Sequence, residues 1–420
     1  MRSPIDWQEL RLARAFAVQL YAAKLKVQVD ARLRGDPLAR VGLTPWHNDP
    51  YPLYDQVRER GPLSRGRLPG TWVTATHAVC KDVLKNRDFG TVGREGVGRE
   101  SEEFDLSMLE QNPPDHTRLR RVAAPAFTPR RMASYETSIG KTVHALLDQA
   151  PAGEVFDLQR TVSAPLPITV ISDLLGIPDA DADRFTRYGT ALGKALDGIK
   201  SMRHAHQAYG AKLALARMFS RLLEQRAADP RDDLLSVLAA ERGETIRPEE
   251  ILPLCQLLLV AGFETTVNLI GNAVHALLRH PDQWQLLVDD PTLAGAVVEE
   301  TLRWDPPIQF TSRVAMRDVE VANTVVKQGY WVVTALGGAN RDPAEFSRPN
   351  DFDITRTDGG DHLAFSSGIH YCLGAGLARL EGEIALRAIA ERMPTLQLAG
   401  KVPMRRTTTI RGVRALPVRG

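Results

Sequence analysis

The sequence predicts a mainly α fold with a minor β region. Three observations carry this. Residues 247–279 form one long run with helical spacing of apolar residues, opened by Pro248-Glu-Glu and stopped by Arg279-His-Pro281. Further helical patterns cover 130–149, 158–175, 180–197, 200–228 and 231–242. Strand-like patterns are short, chiefly Thr71–Thr74 and a hairpin over Val319–Val333. No Pro/Gly/Ser-rich linker, low-complexity tract or repeat divides the 420 residues. One unit over 49–420 is therefore expected, preceded by an extension over 1–48.

Hydrophobic residues make up 43% of the chain, enough for a sizeable core. The 53 basic and 51 acidic residues leave a net charge of only +2. That argues against a nucleic-acid binder, which needs a concentrated basic face. Cys80, Cys255 and Cys372 are few and far apart, which fits a reducing cytoplasm rather than a disulfide framework. Arg11 and Arg14 break the first apolar run and no small-residue cleavage site follows, so no secretory signal is expected. No stretch approaches ~20 uninterrupted apolar residues, and no membrane span is expected.

Taken in order, residues 7–34 read as an amphipathic helix with Phe16, Leu20 and Leu25 on one side. Such helices pack on the body of their own protein more often than they lie on a membrane. Residues 49–60 and His77–Arg87 read as helices, and 90–111, rich in Gly and Glu, as a long loop. Pro113-Pro114-Asp115 then opens a helix. His116 and Arg120 share one of its faces at i, i+4. Arg118 and Arg121 lie on the same helix, so the pattern alone also admits a solvated basic stripe.

Inside the 247–279 run lies Ala261-Gly-Phe-Glu-Thr-Thr266. A Gly and two β-branched residues in mid-helix are poor helix formers, and an acid in an apolar span is costly. Local rules broken together point to a functional site, although a kinked core helix with Glu264 at the surface breaks them too. Leu257, Ala261 and Thr265 share a face at i, i+4, i+8. In the next helix Glu300 and Arg303 stand at ion-pair spacing before Trp304-Asp-Pro-Pro307 ends it. The default for such a pair is a surface contact of ~0–1 kcal/mol. Ile308–Arg313 reads as extended, and the tail 406–418 as strand and turn.

The most informative stretch is Phe365-Ser-Ser-Gly-Ile-His-Tyr-Cys-Leu-Gly-Ala-Gly-Leu-Ala-Arg379, a tight loop running into a helix near Ala375. A thiolate at Cys372 would meet the positive end of the helix dipole and free backbone N–H groups, which lower a thiol pKa and suit it to a metal. Alone, Cys372 reads as an ordinary buried thiol. Its neighbours change that. Phe365, Gly368, His370, Cys372, Gly374, Leu377, Ala378 and Arg379 match F-x-x-G-x-H-x-C-x-G-x-x-L-A-R, which resembles the haem-thiolate loop of the cytochrome P-450 family. Ser366 departs from it, where many members carry Gly. Pro113-Pro-x-His-x-Arg-x-Arg, Ala261-Gly-x-Glu-Thr and Glu300-x-x-Arg also resemble family motifs and occur in family order. The segments Ala261–Leu269 and His362–Ser366 look most like actinobacterial members.

The resemblance implies a triangular helical prism with haem b between a long distal helix and the Cys-loop helix. It implies Cys372 as the iron ligand, a bond through which a thiolate pushes electron density to favour O–O cleavage. It further implies His116, Arg120, Arg313 and His370 as haem-propionate partners, with Ala261, Phe365 and Gly374 also against the haem. Glu300 and Arg303 become a buried structural pair, and Leu257, Ala261, Ile308 and Gln309 line the substrate pocket. Glu264 and Thr265 become the acid–alcohol pair that relays protons. The implied activity is a cytoplasmic monooxygenase that uses O2 on a hydrophobic small molecule. No dinucleotide fingerprint is present, so electrons must come from outside, from a ferredoxin-type donor that docks at Arg118, Arg121 and Arg130. A peroxide-driven enzyme of the same fold and a non-catalytic haem sensor or carrier are the alternatives.

Overall fold

The computed structural model describes residues 7–93, 106–151, 153–197 and 199–420. Residues 94–105 of the expected long loop, and the expected helix junction at Gly198, lie outside the described residues. The first helices are α1 (Trp7–Arg32), α2 (Pro37–Arg40), α3 (Tyr51–Glu59), α4 (His77–Lys85) and α5 (Asp115–Ala123). Then come α6 (Pro129–Asp148), α7 (Pro165–Leu175), α8 (Asp179–Gly193), α9 (Met202–Ala228), α10 (Leu234–Ala240) and α11 (Pro248–Arg279). The last are α12 (Pro281–Asp289), α13 (Ala294–Trp304), α14 (Leu336–Ala339) and α15 (Ala375–Arg392).

The fold is built on α11. Pro248 sits in its first turn with Glu249 and Glu250, and Arg279 in its last. Both arrangements suit the helix dipole. Glu250 caps the start by accepting the Arg247 N–H at 2.9 Å. The apolar residues of α11 face α7, α8, α9, α13 and α15, and together they form the largest core cluster. Each fully buried Leu, Ile or Phe contributes roughly 1.5–3 kcal/mol there. By length and composition α11 would cross a membrane, but 83% of its most apolar window is buried inside the protein.

The strands are β1 (Ser64–Arg65), β2 (Thr71–Thr74), β3 (Phe89–Gly90), β4 (Phe156–Asp157) and β5 (Phe310–Ala315). They continue with β6 (Val319–Val321), β7 (Thr324–Val326), β8 (Trp331–Ala335), β9 (Gln397–Leu398) and β10 (Pro417–Arg419). The main sheet has the order β1-β2-β8-β5-β3, with β2 and β8 parallel and the other pairs antiparallel. A second sheet runs β4-β10-β9.

Four expectations change. The hairpin ends at Val326: β6 and β7 pair across Ala322 and Asn323, while β8 joins β5 and β2. Positive φ at both turn residues, 48° and 59°, fits a tight two-residue hairpin. The helix expected over 158–175 is broken into a π-helical turn at Gln159–Ser163 and α7, because Pro165 has no N–H to continue the ladder.

In α1, Phe16 and Leu25 do not share a side: nine residues are about two and a half turns. Both are exposed, as are Val18, Tyr21 and Val27, so these apolar residues of α1 form no buried stripe on the body. The stretch after it does pack, with Asp36, Pro37, Val41 and His47 buried. Finally, Arg118 is not free for docking. It donates to both Glu250 oxygens at 2.8 and 2.6 Å and to Asp115 at 2.6 Å, which ties α5 to α11. Arg121 and Arg130 remain exposed.

Candidate active site

The Cys loop is shaped by its backbone. Gly368 has φ +69°, and a Cβ there would lie 2.4 Å from the Leu84 carbonyl oxygen, so only glycine fits. Ser366 also lies in the left-handed region, at φ 62°. A side chain there costs on the order of 1–2 kcal/mol. Its hydroxyl accepts a bond from Arg313 Nη2 at 3.3 Å. The Cys372 N–H donates to the Phe365 carbonyl at 2.9 Å, and α15 begins three residues on.

Cys372 lines a cavity of about 720 Å³ between this loop and α11. Burial pushes its thiol up, against the opposing pull of the Gly374 backbone N–H, Arg120 and Arg379. The expected lowering is thus reversed: apolar surroundings outweigh the helix start. A metal cation at the sulfur would favour the thiolate and displace the proton. Arg379 points elsewhere. It donates to Glu299 at 2.6 Å and to Tyr371 at 3.2 Å, fixing the loop to α13.

Four basic side chains from three elements meet in the same cavity: His116 and Arg120 of α5, Arg313 of β5 and His370 of the loop. The rings of His116 and His370 are 4.1 Å apart. His116 Nδ1 and His370 Nε2 are buried with no hydrogen-bond partner. Burial, then Arg313, His116 and Arg120, push His370 down to about 3. Burial alone pushes Arg313 down to about 10. Among the described residues neither Arg120 nor Arg313 has a carboxylate partner. A buried cation cluster without anions is costly, and a ligand carrying carboxylates would resolve it.

The family profile described as Cytochrome P450 matches residues 285–393. Cytochrome P450 107B1 of Saccharopolyspora erythraea is 41% identical over 399 residues, covering 93% of this chain and 93% of its own. The chain belongs to the cytochrome P450 family. The putative cytochrome P450 140 of Mycobacterium tuberculosis is 39% identical over 407 residues, covering 92% of each. Among solved structures, Mycobacterium smegmatis CYP164A2 in its ligand-free state is similar with a TM-score of 0.83 at 37% identity. The match covers 91% of this chain and 99% of that one.

This P450 is accordingly an oxidoreductase of the monooxygenase type, and its family implies haem. The residues present fit that group. The cavity holds two guanidiniums without carboxylate partners and two histidine nitrogens without hydrogen-bond partners among the described residues, a set suited to two carboxylates, and a thiol on its wall suited to a metal. Phe365, Gly374 and Ala261 line it as well.

The remaining predicted residues divide. Glu300 and Arg303 form a buried bidentate pair at 2.7 Å in both bonds, not a surface contact. Leu257, Ala261, Thr265 and Ile308 line the cavity. Gln309 does not. It is buried on the other side of the segment, accepting from Tyr54 Oη at 2.8 Å and donating to the Pro306 carbonyl at 2.7 Å. Ile308 and Gln309 are adjacent in extended chain, so their side chains take opposite faces.

Thr265 Oγ1 donates to the Ala261 carbonyl at 2.9 Å. Glu264, its neighbour, is buried outside the cavity lining and forms an ion pair with Arg405 from the tail. Sequence reasoning missed Arg405. A buried acid demands a cation, but nothing local says which one. It also missed Leu38, Met108 and the tail turn Thr408–Ile410, all lining the cavity. The tail reaches it because Ile410 bridges to Ile308, a contact between distant segments with no sequence signal.

Proposed function

We propose that this P450 inserts one oxygen atom of O2 into a hydrophobic small molecule, using electrons from a ferredoxin-type protein in the cytoplasm. The carrying observation is that Leu257, Ala261 and Thr265, at i, i+4 and i+8 of α11, line the same cavity as Cys372, together with Met108 and Ile308. Haem b, bound there, supplies the binding and reductive activation of O2. Cys372 holds its iron, and His116, Arg120, Arg313 and His370 its carboxylates. Residues 49–420 act as one catalytic unit with 1–48 as an extension.

Substrate class is the open variable. Relatives include the cytochrome P450 monooxygenase PikC of Streptomyces venezuelae and the vitamin D(3) 25-hydroxylase of Pseudonocardia autotrophica. A structural neighbour, P450BioI, is solved with an acyl carrier protein bearing hexadec-9Z-enoic acid. Polyketide-like, steroid and fatty-acyl ligands are the screen, with a low- to high-spin shift of the haem spectrum as readout. No shift with any apolar ligand, in a fully haem-loaded protein, would remove the substrate reading.

Two predictions arise here. The cradle residues should each retain haem: His116→Ala, Arg120→Ala, Arg313→Ala and His370→Ala each remove one charge-assisted or imidazole bond, roughly 1–3 kcal/mol. Transfer of haem to an apo-acceptor should speed up for each variant, and wild-type rates for all four would discard the assignment.

The second concerns protons. Thr265 Oγ can both donate and accept, and Thr265 lines the cavity. Glu264, released from Arg405 by a rotamer change, would carry protons from the outer side of α11 to it. Thr265→Ala is expected to bind substrate and consume reductant, yet form less product per reductant, with the difference appearing as hydrogen peroxide. Glu264→Gln should slow turnover with an altered solvent isotope effect. Wild-type ratio and rate in both variants would move the relay elsewhere. An intact Glu264–Thr265 pair also favours O2 over peroxide as oxidant.

A further inference from the structure

Glu381 lies on α15, one turn past Leu377 and Ala378. All three share a face at i, i+3 and i+4, and all three line the cofactor cavity. The residue is 2% exposed, and its Oε2 is buried without a hydrogen-bond partner. No hydrogen bond or ion pair is made by this side chain among the described residues. The adjacent Gly382 abuts Val298 of α13 and Leu269 of α11, which seats this turn of α15 against both helices.

Burial pushes the Glu381 carboxyl well above the usual range, and nothing opposes it. No charged or titratable group of α6, α11, α12 or α13, the helices packed on α15, acts on it. An isolated carboxylate in such a site costs far more than keeping the proton. Burial without a partner favours the protonated carboxyl, which has one O–H to give. Oε2 is sealed in the protein, while Oε1 is not among the sealed atoms and the residue lines the cavity, so Oε1 is the oxygen that can face it. An unpaired buried polar group is costly, and a leucine of similar volume would avoid that cost.

We propose that Glu381 donates a hydrogen bond into the haem cavity and is a positioning residue for the cofactor's electron affinity. A donor dipole with its positive end aimed into a low-dielectric cavity favours negative charge added there. Glu381 would hold its proton on its own oxygen whether the bound cofactor is oxidised or reduced, so no proton transfer is involved. Thr301 Oγ1, buried and equally unpaired, lies on the α13 face that Val298 turns towards α15. It is the first candidate to share a bound water with Glu381.

The inference rests on haem occupying this cavity, which the Soret band of each variant reports separately. The holoprotein is compared with Glu381→Gln, a neutral donor of the same shape, and Glu381→Leu, which has no donor. The readouts are midpoint potential, thermal midpoint and the infrared redox-difference spectrum. Expected are a wild-type potential in Gln, a lower potential in Leu, and a higher thermal midpoint in Leu. A protonated-carboxyl C=O band should appear in the wild type and vanish in Gln. Equal potentials in all three would make Glu381 a structural filler and overturn the proposal. A higher potential in both variants would show an ionised carboxylate in the wild type and overturn it as well.

Discussion

Cys372→His is expected to keep a haem-loaded protein but move the Soret band of the reduced, CO-bound form from the strongly red-shifted thiolate position to that of a His-ligated haem. Monooxygenation should be abolished, because imidazole does not push electron density to the iron as thiolate does. Cys372→Ala should lower haem occupancy and lose the red-shifted band altogether. The reason is structural as well as chemical. The Cys372 sulfur is the one thiol on the cavity wall, while Cys80 and Cys255 are buried elsewhere. Burial pushes both of those up to about 12, so neither offers a substitute thiolate. A wild-type spectrum in Cys372→Ala would sink the ligand assignment.

The parts of this P450 legible in its sequence are those where local rules suffice. α11 announced itself by period, an N-terminal proline and a stop before Pro281, and the structure differs from the expected range by one residue. The Cys loop was legible through its motif from Phe365 to Arg379, and its positive φ at Ser366 and Gly368 shows that part of that motif answers to backbone geometry. The cradle was half legible. His116 and Arg120 share a helix face, but their convergence with Arg313 and His370 is tertiary.

What escaped was long-range. Arg405 meets Glu264 across 141 positions, and no pattern on either side names the other. Gln309 was misassigned because a one-residue alternation decides which face of an extended segment meets the cavity. Nothing in the sequence singles out Glu381: Glu is by default a surface residue, and only the packing of α6, α11 and α13 on α15 buries it.

Arg303→Ala is expected to destabilise the fold by about 3–5 kcal/mol, the cost of breaking a buried ion pair from one side. The guanidinium uses all five of its N–H donors. Nε and Nη2 reach the two Glu300 oxygens at 2.7 Å each, and Nη2 also reaches the Asp351 carbonyl at 2.8 Å. Nη1 donates to the carbonyls of Asn340 at 3.1 Å and Pro349 at 2.8 Å. One side chain thus ties α13 to the segment that leads into the Cys loop. Removing it strands a carboxylate that is 5% exposed, with only the Asp353 N–H at 2.9 Å and the Arg356 guanidinium at 3.4 Å left to it. Arg303→Lys should recover little, since an ammonium has three donors and cannot match the planar fork. Glu300→Leu combined with Arg303→Met should lose less than Arg303→Ala alone, because no buried charge is left unpaired. Urea unfolding, followed by the Soret band and by far-UV circular dichroism, measures all three. A loss under ~1 kcal/mol for Arg303→Ala would mean the pair contributes no more than a surface contact.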